Sequence, residues 1–472
     1  MASWQPKVSV VIPAYNQAEF LGEAIQSVLN QTYTDFEIIV VDDASPDHTS
    51  EVVTQFNDPR VMFVKHEVNR GLPAARNTGI RAASGELIAL LDADDYFHPQ
   101  KLQAHVNFLT RNPEVGVSYN ARYELQHSSS EIRELYRPPL ILDLTDFVLG
   151  FPITPSDMVI RREWAFRVGL FDESCVCGGE DLDFLCRLAL AGCQFASVNR
   201  ALNFRRFHSG RRRKNLACRL DDYTRALEKT FDDQRCPKDV LLLRNQARSN
   251  HYLEVASYAL FQDEIDLGQE VVREVIGLDP SWLSGSPSRL MGYFLNFSIK
   301  DETQDHQEQL RKIINNLPPE GRGISEEYDW AVAQGYLLKG FRAIIWDRCE
   351  DAEIYLAQAK KCGARVDESS IQKLTSLLLS YELEFGEKKS QSILQKLSPF
   401  VIQIGTRSSN RRLRSCFFAN RAFKYYREEN YLNVLTNICW TIFNDPKYLT
   451  NRGINSIFYR SLLRKPLQQP RD

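Results

Sequence analysis

Val8-Ser9-Val10-Val11-Ile12-Pro13-Ala14-Tyr15-Asn16 decides how this chain is read. A β-branched run that stops at a proline has the signature of a buried strand. Behind it Phe20, Leu21, Ala24, Ile25, Val28 and Leu29 recur at helical spacing. Further apolar runs follow at 36–41, 61–64 and 87–91, the second strand ending in Asp42-Asp43 and the fourth at Asp92. Strands alternating with helices predict an α/β fold whose mostly parallel sheet is built through right-handed crossovers. Ligands bind such sheets outside the carboxyl ends of the strands. Pro13-Ala14-Tyr15-Asn16, Asp42-Asp43 and Asp92-Ala93-Asp94-Asp95 all arrive there.

The chain has 472 residues, 43% of them hydrophobic, enough for two or three domains. With 58 basic and 61 acidic residues the net charge is −3, so no global field marks a nucleic-acid binder. The start lacks a signal-peptide pattern and no window holds eighteen uninterrupted apolar residues, which predicts a cytoplasmic protein without a membrane span. Ten cysteines are too dilute for a disulfide scaffold, and reduced thiols are expected. Cys175, Cys177, Cys186 and Cys193 raise a metal site as a question, although their spacing misses the usual zinc patterns.

After about residue 215 strand-like runs stop and helical patterns continue to the end. A first domain over 1–215 and a helical one over 216–472 are expected. Three stretches, 249–280, 328–363 and 414–446, each read as a helix pair closed by a Pro or Gly breaker. They resemble degraded tetratricopeptide hairpins, with an ordinary helical bundle as the alternative. Such a domain could bind a protein partner or mediate self-association.

Asp92 and Asp94 are two apart, so in a strand their carboxylates would face one side. Two co-directed hard oxygens suit Mg²⁺ or Mn²⁺ shared with phosphates. The same acids could instead cap the next helix.

The motifs at 8–16, 41–47, 69–77 and 91–95, extended by Gly178-Gly179-Glu180-Asp181, resemble in order and spacing the signatures of glycosyltransferase family 2. The resemblance spans roughly residues 6–210 and implies a GT-A fold. It implies that Pro13, Ala14, Tyr15 and Asn16 line a nucleotide pocket and that Asp43 accepts a hydrogen bond from the base. Arg76, Asn77, Asp92 and Ala93 would lie near the nucleotide sugar, and Asp94 would bind Mn²⁺ or Mg²⁺ with Asp92 beside it. Glu180 and Asp181 match the acidic pair near the acceptor, Asp181 being the expected base. Leu182, Leu185, Cys186 and Ala189 follow at i, i+3, i+4 and i+7, so Asp181 opens an amphipathic helix whose dipole favours its ionised form.

Arg205-Arg206-Phe207-His208 begins a basic run that ends at Lys214. His208 is the candidate phosphate contact or third metal ligand, while 211–214 also reads as a basic linker or a contact with anionic lipid. The reaction implied is metal-dependent transfer of one sugar, with inversion, from a nucleotide sugar, by family habit a UDP-sugar. The acceptor hydroxyl would belong to a glycan, a lipid-linked glycan or a protein, with at most peripheral contact at the inner membrane face. Processive members' Gln-x-x-Arg-Trp segment is missing where it is expected. Gly-x-Gly-x-x-Gly does not follow the first strand, which sets a dinucleotide-dependent oxidoreductase aside. A sugar nucleotidyltransferase would need a glycine-rich loop there, and a silent scaffold would tolerate loss of Asp94 or Asp181.

Overall fold

The computed structural model describes residues 6–126, 131–207, 215–302 and 304–463. His208 and the basic run behind it, 211–214, lie outside the described residues. The chain divides into two compact units, Met1–Glu326 and Glu327–Asp472.

The first unit is organised on a ten-stranded mixed sheet. Its strands are β1 (Val8–Ala14), β2 (Phe36–Asp42), β3 (Val61–Lys65), β4 (Leu87–Leu90), β5 (Tyr96–Phe97), β6 (Val115–Gln126), β7 (Ile132–Tyr136), β8 (Ile141–Leu142), β9 (Met158–Arg161) and β10 (Gln194–Phe207). The main order is β3-β2-β1-β4-β9-β6-β10-β5, with β7 on β6 and β8 on β10. β3, β2, β1 and β4 run parallel, β9 is antiparallel to both β4 and β6, and β10 returns parallel to β6. The main sheet is thus mostly parallel with one reversed strand inside it, an α/β arrangement as the strand-helix alternation predicts.

All seven residues of β1 are buried. Val8, Val10 and Ile12 pack with the helix Ala18–Leu29 on one face. Val11 points into the opposite core, beside Ala75 and Ile80 of the helix Leu72–Ala82. That helix lies so close that a Cβ on Gly79 would overlap the Val11 side chain. Glycine here is a matter of space, and the close approach lowers Arg76 towards the ends of the strands.

The second core also contains Leu182 and Cys186 together with Leu216, Tyr223, Leu227, Val255 and Ala259. The helices Leu216–Phe231 and Arg244–Phe261 supply the last five. Strands end at Phe207, close to the expected change of character, but the compact unit does not end at 215. It continues to Glu326 because these helices complete a core that the sheet begins.

Three helix pairs occupy the expected stretches: Arg244–Phe261 with Ile265–Leu278, Tyr328–Ile345 with Cys349–Lys361, and Arg407–Arg427 with Tyr431–Asn444. Each turn contains one residue in the left-handed region, Asp263, Asp347 and Glu429 respectively. Asp279 and Asp445 accept from the backbone amides of Ser281 and Lys447, so the Asp-Pro breakers begin capped 3-10 turns. Pairs two and three belong to the second unit, whose regular elements among the described residues are all helices. Among the described residues no helix is long and apolar enough to cross a membrane.

Candidate functional site

β4 stops at Leu90, so Asp92 and Asp94 are not co-directed by strand alternation. A turn gathers them instead: the Asp95 amide donates to the Asp92 carbonyl at 3.0 Å. The turn also adds an acid that spacing had not singled out. Asp92, Asp94 and Asp95 each offer a carboxylate oxygen, all within 4.8 Å of one another. From β10 the Arg206 guanidinium donates to the Asp94 carbonyl at 2.9 Å, and the Arg206 amide to Asp95 Oδ1 at 3.2 Å. Asp94 and Asp95 are buried while the Asp92 side chain keeps 27% of its surface. An all-oxygen, anionic donor set with an open side fits a hard divalent cation.

The residues expected to line a nucleotide pocket lie at the ends of β1 and β2. Asp43 donates its amide to the Ala14 carbonyl at 2.9 Å, and the Asn16 amide donates to Ser45 Oγ at 3.1 Å. Pro13, Ala14 and Ala93 are buried, whereas Tyr15 remains 49% exposed. The Asp43 carboxylate accepts from the amides of Arg70 and Gly71, both at 2.8 Å, and lies 2.7 Å from His66 Nδ1. Much of its hydrogen-bonding capacity is spent fixing the 69–71 loop, where Gly71 has a φ of 90°.

Arg76 joins two clusters that are far apart in sequence. Its guanidinium donates to Asp92 Oδ1 and to Glu180 Oε1, each at 2.8 Å, and is almost fully buried. Burial opposes the charge, but Asp92 and Glu180 hold the cation firmly protonated. Asn77 makes its side-chain bonds elsewhere. It receives the Phe171 amide and donates to the Phe171 carbonyl and Glu173, all at 2.9 Å, so it anchors the chain leading to Glu180.

Glu180 and Asp181 are the first two residues of the helix Glu180–Leu190. The chain enters through Gly179 at φ 78°, where a Cβ would stand 3.1 Å from the Tyr223 ring. Asp181 Oδ1 accepts the Leu182 amide at 2.9 Å. The helix start was expected to favour the ionised carboxylate, yet burial and then the neighbouring Glu180 charge push its pKa up to about 6. Arg76 and the Leu182 amide oppose the rise without cancelling it.

Asp181 also forms part of the wall of a cavity of about 330 Å³, with Arg122, Glu124, Tyr136, Arg205 and Arg219 around it. Arg122 donates to Glu124 and Asp157 at 2.7 Å each, and Arg205 stands 3.6 Å from Glu124. Burial would raise the Glu124 pKa, but Arg122 and the other arginines lower it to about 2. On the far side Tyr223 donates to Glu254 at 3.0 Å. Apart from Asp181, these cavity residues come from three strands and two helices, and no short motif contains them. Sequence reasoning therefore missed them.

The cysteines depart from expectation. Cys177 and Cys218 form a disulfide, so two of the ten are oxidised, and the bond ties the segment before Glu180 to the helix Leu216–Phe231. Cys175, Cys186 and Cys193 are buried free thiols with pKa values raised by burial to about 12. The four cysteines between 175 and 193 do not form a metal cluster among the described residues.

Residues 9–167 match the family described as Glycosyl transferase family 2. This domain belongs to that family. The chain is also similar to an uncharacterised glycosyltransferase of Nostoc sp., 43% identical over 33% of this chain and 51% of that protein. An Escherichia coli UDP-Glc:alpha-D-GlcNAc-diphosphoundecaprenol beta-1,3-glucosyltransferase, WfgD, is 35% identical over 28% of this chain and 52% of its own length. The chain thus spans about half the length of these curated relatives. Among solved structures, S. aureus TarS aligns with a TM-score of 0.45 and 18% identity, over 68% of this chain and 55% of that one.

Proposed function

We propose that the chain is a glycosyltransferase that moves one sugar from a nucleoside-diphosphate sugar, a UDP-sugar, to an acceptor hydroxyl with inversion at the anomeric carbon. The observation that supports this most is the Arg76 bridge, which brings the three-aspartate turn and the Glu180-Asp181 pair to one place.

In this reading Tyr15 and the ends of β1 and β2 receive the nucleotide, and the cavity beside Asp181 receives the acceptor. Asp92, Asp94 and Asp95 would hold Mn²⁺ or Mg²⁺, which when bound supplies Lewis-acid neutralisation of the diphosphate. Asp181 Oδ1 is engaged by the Leu182 amide, leaving Oδ2 to take the proton from the attacking hydroxyl. As that oxygen bonds to the anomeric carbon, the carbon–oxygen bond to the diphosphate breaks and its electron pair leaves with the nucleotide. A carboxylate with its pKa near 6 is still mostly ionised at neutral pH and is a stronger base than an exposed one. Arg76 keeps Glu180 and Asp92 neutralised while this happens, so neither adds repulsion against the departing diphosphate.

The test is release of nucleoside diphosphate from a panel of nucleotide sugars with Mn²⁺ or Mg²⁺, with Asp181→Asn beside the wild type. Release from no sugar with either metal overturns the reading. Undiminished transfer by Asp181→Asn overturns only the choice of base.

A further inference from the structure

The last helix pair of the second unit presents a surface that the proposed chemistry does not use. On Tyr431–Asn444 the buried side is Val434, Asn437, Ile438 and Thr441. Its outer side carries Leu432, Trp440 and Phe443, exposed by 76%, 46% and 78%. These positions are separated by eight and three residues and share one helical face. On Arg407–Arg427 the positions Arg407, Arg411, Arg414 and Phe418 follow at i, i+4, i+7 and i+11, also one face. The two faces meet: Phe418 stacks on Trp440 with ring centroids 5.9 Å apart, and Trp440 contacts the Phe443 ring edge-on at 5.8 Å. An arginine stripe therefore runs directly into an exposed aromatic and aliphatic patch.

Arg412, one position off the stripe, pairs with Glu368 at 3.2 Å and Asp445 at 3.0 Å. Arg407, Arg411 and Arg414 have no such ion pair among the described residues. Between Arg407 and Leu463 ten residues are Lys or Arg, and the only acids are Glu428, Glu429 and Asp445, although the whole chain carries a net charge of −3.

We propose that this face docks on an anionic lipid surface, Leu432, Trp440 and Phe443 entering the headgroup boundary while Arg407, Arg411 and Arg414 contact lipid phosphates. Apolar contact and basic charge on one face is the combination that holds a peripheral protein to such a bilayer. A second copy of the chain fits it less well, because a two-fold contact would set the arginine stripe against itself. Trp at the rim of the patch also matches the chemistry of an interface that is apolar on one side and wet on the other.

Flotation of the full chain with phosphatidylcholine vesicles, with and without phosphatidylglycerol, tests this. The chain is expected to float with the phosphatidylglycerol vesicles only, and to release as salt rises. A basic residue near the surface contributes about fivefold to binding, so Arg407→Gln/Arg411→Gln/Arg414→Gln loses on the order of a hundredfold in partitioning. Leu432→Ser/Phe443→Ser loses binding as well, and both variants keep the wild-type melting curve and nucleotide-sugar hydrolysis. No flotation at low salt overturns the proposal. So does wild-type flotation by either variant while its melting curve is unchanged. A wild-type dimer that both variants convert to monomer, with lipid binding intact, assigns the face to self-association and overturns it too.

Discussion

Arg76 and Glu180, separated by 104 positions in the chain, are joined by a buried 2.8 Å hydrogen bond, and the same guanidinium holds Asp92. One side chain thereby ties the three-aspartate turn to the Glu180-Asp181 pair. Replacing Arg76 with Met leaves two carboxylates facing each other without a cation, one of them buried. Breaking a buried ion pair from one side costs roughly 3–5 kcal/mol, so urea titration is expected to show a large loss of stability. Activity is expected to fall at least ~100-fold by loss of positioning. Because Arg76 opposes the upward shift at Asp181, the acidic limb of the pH–rate profile moves higher in any residual activity.

The pH dependence of the wild type follows from Asp181. With a folded pKa near 6, the active carboxylate form accumulates as pH rises through 6, and kcat/KM is expected to climb to a plateau above about 7. Stability has the opposite sign. The folded pKa lies above the value of about 3.9 for an unfolded aspartate, so the native state takes up a proton that the unfolded chain has lost. Ionisation therefore penalises the fold above pH 6. Asp181→Asn is expected to abolish transfer while stabilising the protein at pH 7 by on the order of 1–3 kcal/mol, a gain that shrinks as pH falls from 6 to 4. Calorimetry at three pH values beside a transfer assay checks both halves.

Asp95 distinguishes a turn from a strand as the source of the acidic cluster. If the turn defines the site, Asp95→Asn weakens Mn²⁺-dependent nucleotide binding by calorimetry, roughly tenfold or more, as losing a metal-supporting group does. Asp94→Ala is expected to remove that metal dependence altogether. Equal metal affinity in Asp95→Asn and wild type would show that the third carboxylate is only a neighbour.

Gly179 places Asp181, and its φ of 78° is open to glycine far more readily than to alanine. Gly179→Ala brings a left-handed alanine and a 3.1 Å contact with the Tyr223 ring. Strain of this kind costs about 1–3 kcal/mol. The helix start is expected to shift, reducing kcat more than the KM for the nucleotide sugar. A steady-state series with each substrate varied separately reads that split.

By itself the sequence determined the strand-helix alternation, the polar clusters at the ends of β1, β2 and β4, the place of Asp181 at a helix start, and the three helix pairs. All are short-range patterns: period, breaker and cap are written within a few residues. Tertiary structure alone decided the rest. Arg76 meets Glu180 only because the helix Leu72–Ala82 packs on Val11 and the helix Glu180–Leu190 packs beneath the same sheet. Glu124 and Arg219 reach one cavity from a strand and a helix ninety-five positions apart, a relation that no spacing rule encodes. The first unit extends past residue 215 because later helices finish an apolar face the sheet leaves open. The state of Asp181 was decided in the same way: a helix start favours its charge locally, but burial against Glu180 is set by the packed site and prevails.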